Sequence, residues 1–220
     1  SHDYCVVEMG TNRPGEIAAL SGIARPDVGI VLNVSESHLQ GLGDIEGVAR
    51  EKFALIQALG TDGCAILNFD DPFTRDMIER TDGFVVSFGT WPEADVFAGD
   101  VRAQGTTLSF RIYERLQVTL RTLGLHNVHN ALAALSVAFW LGEDVGEACD
   151  RIEEFRPSPM RMAVEEVAQV RLINDAYNAN PRSMEAAILE LSYRGGGRQV
   201  AVLGDMLELG EQAVAMHEAL

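Results

Sequence analysis

The sequence is short of positive charge: lysine and arginine number 17 against 33 aspartates and glutamates, a formal net charge of -16. So acidic a surface argues against nonspecific binding to nucleic acid or anionic membrane, since both need clustered cations. A phosphate ligand would have to be held by backbone amides, metal ions and a few placed cations. Cysteine is scarce too. Cys5, Cys64 and Cys149 lie in apolar stretches without a CxxC pair, the pattern of reduced core residues in a cytoplasmic protein rather than of a disulfide framework. No apolar run approaches the roughly 18 residues of a membrane span and no signal-peptide pattern opens the sequence, so membrane insertion is not expected. A GxxxxGK[ST] phosphate loop is also missing.

What is present is enough apolar material, 47% of 220 residues, for one large domain or two modest ones. Short β-rich runs alternate with helical patterns, as in an α/β fold with a mainly parallel sheet. Strands are expected at residues 4–8, 28–34, 65–68 and 84–88, with helices at 15–24, 45–59 and 74–80. Residues 95–122 hold three short strand patterns without intervening helices, an antiparallel patch, and helices follow at 128–141 and 146–155. The prolines of RPSPMR, residues 156–161, break both helix and strand and mark a link. They divide a first domain, 1–157, from a second, 158–220. In the second, AVEEVAQVRLINDAY has the pattern of a hairpin, SMEAAILELSYR a helix, GGG a turn and QVAVLGDM a strand. The sequence opens almost directly on a strand pattern and stops within an amphipathic helix pattern, GEQAVAMHEAL, as expected for a piece of a longer polypeptide.

One residue breaks its pattern. In the helix containing GVAREKFALI, Ile45, Ala49, Ile56 and Leu59 fall on one stripe, with Lys52 near its middle and Arg50 and Glu51 directed elsewhere. A hydrated ammonium is out of place on a face meant for burial. The plainer reading is a lysine whose stem packs while its head reaches water; the other is a lysine held at a functional site. Polar residues follow several strand patterns, where ligands of parallel sheets sit. Glu8 ends CVVE, and His38 follows VGIVLNV by a few residues. An acid, an imidazole and Lys52 in one crevice suggest a metal site, given a neutral or modified amine, because a protonated lysine cannot ligate. Asp70 and Asp71, after AILNF, fit capping of the next helix better than catalysis. In GLHNVHN, His126, Asn127 and Asn130 can cap a helix or pair with a purine edge. His126 and His129 form an HxxH pair without a nearby carboxylate, which makes a zinc site improbable. Asp175 can accept from ribose hydroxyls or serve a turn, Arg161 can reach a phosphate, and Asp205 ends a strand pattern at the same edge of the second unit.

Together EMGTNRPGEIA, NVSESHLQGLGDIEGVAREK, LNFDDP, GLHNVHNALAA, INDAYNANPRSM and VLGDMLELG run through essentially the whole sequence. In that order they resemble the Mur ligase family, the ATP-dependent amide-bond-forming enzymes of peptidoglycan synthesis. HNxxNAxAA is shared across the family, whereas INDAYNANP with its following SM, and GDMLELG, resemble most the branch joining D-alanyl-D-alanine to a UDP-N-acetylmuramoyl-tripeptide. The resemblance implies a three-domain enzyme. Residues 1–157 would be most of the central ATPase domain and 158–220 the start of a Rossmann-like C-terminal domain. The sugar-peptide domain and the P-loop would lie outside the chain, which alone would be inactive.

Residue by residue, the resemblance implies Glu8 and His38 as Mg²⁺ ligands and Lys52 as a lysine carbamylated by CO₂ that joins them. His126, Asn127 and Asn130 would line the adenine pocket, with Asp175 at the ribose and Arg161 at the ATP phosphates. Lys52, His38 and Asn178 would serve catalysis, Asn178 and Asn180 lying where the C-terminal domain approaches the reacting groups. Gln40 stands where relatives often carry an acid. The implied reaction activates the peptide carboxylate as an acyl phosphate, which the amine of D-alanyl-D-alanine then attacks. The alternatives are another amide ligase of the family, such as a folylpolyglutamate synthase or an earlier Mur enzyme, and a non-catalytic nucleotide-binding module.

Overall fold

Alternation of strand and helix governs the first half of the computed structural model, which describes residues 2–193 and 197–220. In chain order the elements are α1 (Glu16–Ala24), β1 (Val28–Val31), α2 (Leu39–Leu42), α3 (Ile45–Gln57), β2 (Cys64–Asn68), α4 (Pro72–Glu79) and β3 (Phe84–Gly89). Then come β4 (Val96–Gln104), β5 (Thr107–Ile112), β6 (Leu116–Leu120), α5 (His126–Trp140) and α6 (Val145–Glu153). After the link lie β7 (Ala163–Val167), β8 (Val170–Asn174), α7 (Pro181–Ser192), a 3-10 turn at Gly210–Gln212 and α8 (Ala213–Ala219).

Strands β1 to β6 form one sheet in sequence order, parallel from β1 to β4 and antiparallel from β4 to β6. The change of hand follows the loss of helices after β3. β3 and β4 pair over only two residues, and the short connection is pinned by Asp95, which accepts from the Ser87 amide and hydroxyl. β2 is buried along its whole length and feeds two cores by strand alternation. Cys64 and Ile66 join Phe88, Phe110, Leu132 and Leu135 under α5, while Ala65 and Leu67 join Val48, Ile56 and Met77 under α3 and α4. Phe88 and Phe110 are both 0% exposed, and truncating either to Ala costs about 3–5 kcal/mol. β7 and β8 make a separate antiparallel hairpin.

Short polar side chains start the helices. Asp44 caps α3, Asp71 caps α4 ahead of Pro72, Asp144 caps α6, and Asn180 with Ser183 makes a capping box on α7. The Asp71 cap explains why α4 begins at Pro72, two residues before the expected start. β1 ends at Val31 rather than at residue 34, because side chains replace the ladder: Asn68 Nδ2 donates to Leu32 O, and Asp71 accepts from the Val34 amide.

Two expected strands are absent. Residues 4–8 and QVAVLGDM have strand patterns, yet neither forms a ladder, and Val6 and Val202 are 94% and 93% exposed. A strand exists only against a neighbour that takes its backbone groups, and neither segment has one among the described residues. Cys5, expected in the core, is exposed for the same reason, while Cys64 and Cys149 are buried as expected. Burial pushes the Cys64 thiol up to about 11. The expected GGG turn and the end of the SMEAAILELSYR helix fall partly on residues 194–196, outside the described residues. Among the described residues no helix is long and apolar enough to cross a membrane.

Candidate nucleotide and ligation site

The loop after β1 gathers one set of charged groups. Lys52, partly buried on α3, donates from Nζ to Asn33 O at 2.6 Å. Burial lowers its pKa, the Asp71 carboxylate acting against the shift and the Arg182 guanidinium adding to it. Lys52 is the only lysine in the sequence; every other Lys/Arg cation is an arginine. Guanidinium stays protonated in proteins, whereas an amine can become neutral and nucleophilic. Asp71 uses one oxygen to cap α4 through the amides of Phe73 and Thr74. Its other oxygen accepts from Val34 N and from Arg182 Nη1, both at 3.3 Å. Arg182 belongs to α7, so this contact ties the second unit to the first.

His38 lies in the same loop with a left-handed backbone, φ 55. Its Nδ1 is 2.5 Å from Glu208 Oε2, and Gln40 N donates to Glu208 O at 3.3 Å. A cleft of ≈ 780 Å³ lies between α2 and residues 206–213. Glu8 is exposed, and no hydrogen bond or ion pair among the described residues joins it to His38 or Lys52. Among the described residues no group of three His, Cys, Asp or Glu side chains could hold a metal ion. That suits Mg²⁺ only in its usual mode, with one or two protein ligands, waters and substrate phosphates. Two of the expected donors would suit this mode, an oxygen of a carbamylated Lys52 and the His38 imidazole, whereas no contact among the described residues joins Glu8 to them.

The start of α5 gathers a second set. Asn127 Nδ2 donates to Leu123 O at 2.7 Å, and Asn130 Nδ2 donates to Asn127 Oδ1 at 3.0 Å. Neither caps α5, whose first turn has no side-chain cap. The His126 ring lies over Gly124, which has φ +81, so that an added Cβ would come within 2.4 Å of His126 Cε1. Packing lowers the His126 pKa, opposed by the carboxylates of Asp175 and Glu190. The chain thus brings Asp175 toward the His126 group from the second unit. Asp175 Oδ1 accepts from Met162 N at 2.9 Å, and does not cap α7. The Arg161 guanidinium stacks on Tyr177 at 4.0 Å. Asn178 Oδ1 accepts from the Ala179 amide, and Asn180 is the α7 cap.

Four contributions have no signature in local spacing. His129, which has no carboxylate near it in sequence, donates from Nε2 to Asp70 Oδ2 at 2.8 Å. Asp70 Oδ2 also accepts from the Thr90 amide and hydroxyl. Glu51 is 6% exposed and accepts from Gly15 N and Ile17 N at 2.8 Å, so it caps α1 from α3 instead of pointing to solvent. Arg182 and Glu208 arrive from distant sequence. One further signal for this site is legible in the sequence: Lys52 is its only lysine.

Known proteins share the sequence and the fold of this chain. The Mur ligase middle domain family matches residues 1–138, and the Mur ligase, glutamate ligase domain family matches residues 160–220. The UDP-N-acetylmuramoyl-tripeptide--D-alanyl-D-alanine ligase of Bacillus subtilis is 36% identical over 220 residues, covering 98% of this chain and 47% of that protein. A crystal structure of MurF from Acinetobacter baumannii superposes with a TM-score of 0.92 at 33% identity, covering 98% of this chain and 48% of that one. The Thermotoga maritima MurF ligase in complex with ADP gives 0.88 at 31% identity, covering 99% and 52%. The chain therefore spans about half the length of the relatives it matches.

Proposed function

The chain belongs to the Mur ligase family, and from that premise we propose that it is part of an ATP-dependent ligase of peptidoglycan precursor synthesis. It supplies most of the central ATPase domain and the start of the C-terminal domain, meeting within residues 156–161. The enzyme adds D-alanyl-D-alanine to a UDP-N-acetylmuramoyl-tripeptide in the cytoplasm. The observation that carries this reading is the meeting of Lys52, Asp71 and Arg182 at the loop after β1, where the two units join.

The His126, Asn127 and Asn130 group offers amide and imidazole edges to the purine, and Asp175 offers a carboxylate to the ribose hydroxyls. Arg161 meets the phosphates. Glu8, His38 and a carbamylated Lys52 would hold Mg²⁺, which screens repulsion between the two anions and stabilises the transferring phosphoryl group. Carbamylation would remove a costly part-buried cation at Lys52 and leave an anion that faces the Asp71 carboxylate as well as the Arg182 guanidinium. The peptide carboxylate attacks the γ-phosphate, giving an acyl phosphate and ADP. The dipeptide amine then attacks the acyl carbon and phosphate leaves. Closure of the second unit, which carries Asn178 toward the reacting groups, would shield this step from water, which would otherwise hydrolyse the acyl phosphate.

The test is product analysis with the full-length protein, ATP, the UDP-N-acetylmuramoyl-tripeptide and D-alanyl-D-alanine. Mass spectrometry is expected to find the dipeptide adduct, with one ADP and one phosphate for each ligation. Addition of glutamate to a folate, or of a single amino acid to a shorter muramoyl substrate, would point to another member of the family. Nucleotide binding without turnover would leave a binding module.

A further inference from the structure

We propose that Glu208 is a positioning residue of this ligase: reaching from the second unit, it fixes the tautomer and orientation of His38 and so presents His38 Nε2 to the divalent cation. The inference rests on the reading of His38 as a metal ligand. A carboxylate only accepts, so the 2.5 Å contact puts the hydrogen on His38 Nδ1 and, in the neutral ring, the lone pair on Nε2. Metal-bound imidazoles are commonly held in this way through their second nitrogen.

The contact is built rather than incidental. Glu208 grips the loop twice, by its side chain at His38 and by its carbonyl at the Gln40 amide. Both residues have left-handed backbones, φ 63 at Glu208 and φ 55 at His38. Non-glycine residues keep that conformation where the surroundings over-determine it. Met206 and Leu209, 3% and 2% exposed, anchor the segment on either side of Glu208. The Met206 amide donates to His217 Nε2, while His217 Nδ1 donates to Ala213 O, so α8 braces the segment as well. His38 therefore reaches its metal-binding orientation when the GDMLELG segment is docked, and cation affinity is linked to that docking.

The experiment titrates Mn²⁺ into the full-length ligase with a nonhydrolysable ATP analogue, reading free Mn²⁺ by electron paramagnetic resonance. Glu208→Ala is expected to weaken Mn²⁺ binding about 10–100-fold with an unchanged thermal midpoint. Glu208→Gln, which keeps an acceptor for Nδ1–H, is expected to restore most of the affinity. Wild-type affinity in Glu208→Ala beside a weakened His38→Ala would overturn the inference and leave the metal reading intact. Wild-type affinity in His38→Ala would overturn both. Equal losses in the Ala and Gln variants with a lowered thermal midpoint would make Glu208 merely structural, and also overturn the inference.

Discussion

Arg182 of α7 and Asp71 at the start of α4 stand 3.3 Å apart, a guanidinium 55% exposed against a carboxylate 2% exposed. The asymmetry decides what each contributes. Asp71 keeps the amides of Phe73, Thr74 and Val34 when Arg182 is removed, so Arg182→Ala is expected to cost about 1 kcal/mol or less in urea unfolding. It also removes the cation that ties the second unit to the Lys52 loop. Ligation is therefore expected to fall about tenfold with the urea midpoint nearly unchanged. Asp71→Ala has the opposite signature: loss of the α4 cap costs about 1–2 kcal/mol, and the midpoint drops.

Gly124 supports the His126 ring. With φ +81 and the ring inside the space of a Cβ, Gly124→Ala strains the backbone and displaces the imidazole. The expected outcome is a rise of about tenfold in the KM for ATP with kcat less affected. Calorimetric titration of ADP checks whether the loss lies in nucleotide binding.

Glu51 is a structural residue in the helix that also carries Lys52. Glu51→Ala leaves the buried Ile17 amide without its acceptor and removes one from Gly15, at a cost of about 1–3 kcal/mol. Chemical denaturation should show the loss, and Glu51→Gln, which still accepts one bond, should recover part of it.

The α3 periodicity told part of this story. Ile56 is buried, and Ile45, Ala49 and Leu59 pack beside the core, as the stripe implies. Lys52 is indeed partly buried on it. Glu51 was illegible because α3 is covered on a second side by α1, whose first amides need an acceptor; one helix's period cannot announce another's unpaired groups. Asp71 reads correctly as a cap from DDP alone. Its neighbour Asp70 does not, since its partner His129 lies 59 residues away. The patterns of residues 4–8 and QVAVLGDM carry the right alternation but not the neighbouring strand that would realise it. Glu208 and Arg182 gain meaning only when the second unit folds back onto the loop after β1.

The Asp70–His129 pair predicts an acid sensitivity. Burial pushes the Asp70 carboxyl up, but the hydrogen bonds from His129 and Thr90 outweigh it and hold its pKa below the ordinary 3.8. A depressed folded-state value stabilises the protein above the unfolded pKa of about 3.9, and that contribution fades as pH falls through the lowered value. Asp70→Asn should therefore be less stable than wild type at pH 6, with the gap closing below about pH 4. Urea midpoints across pH 3–6 measure it, and a constant gap would refute the assignment.

The most direct measurement is phosphate release from ATP by the full-length protein, with and without D-alanyl-D-alanine, in wild type and Lys52→Ala. The central claim predicts dipeptide-dependent release matching ligation in wild type, and a loss of at least about a hundredfold in Lys52→Ala with its fold intact. Unchanged release in Lys52→Ala, or turnover indifferent to the dipeptide, would contradict it.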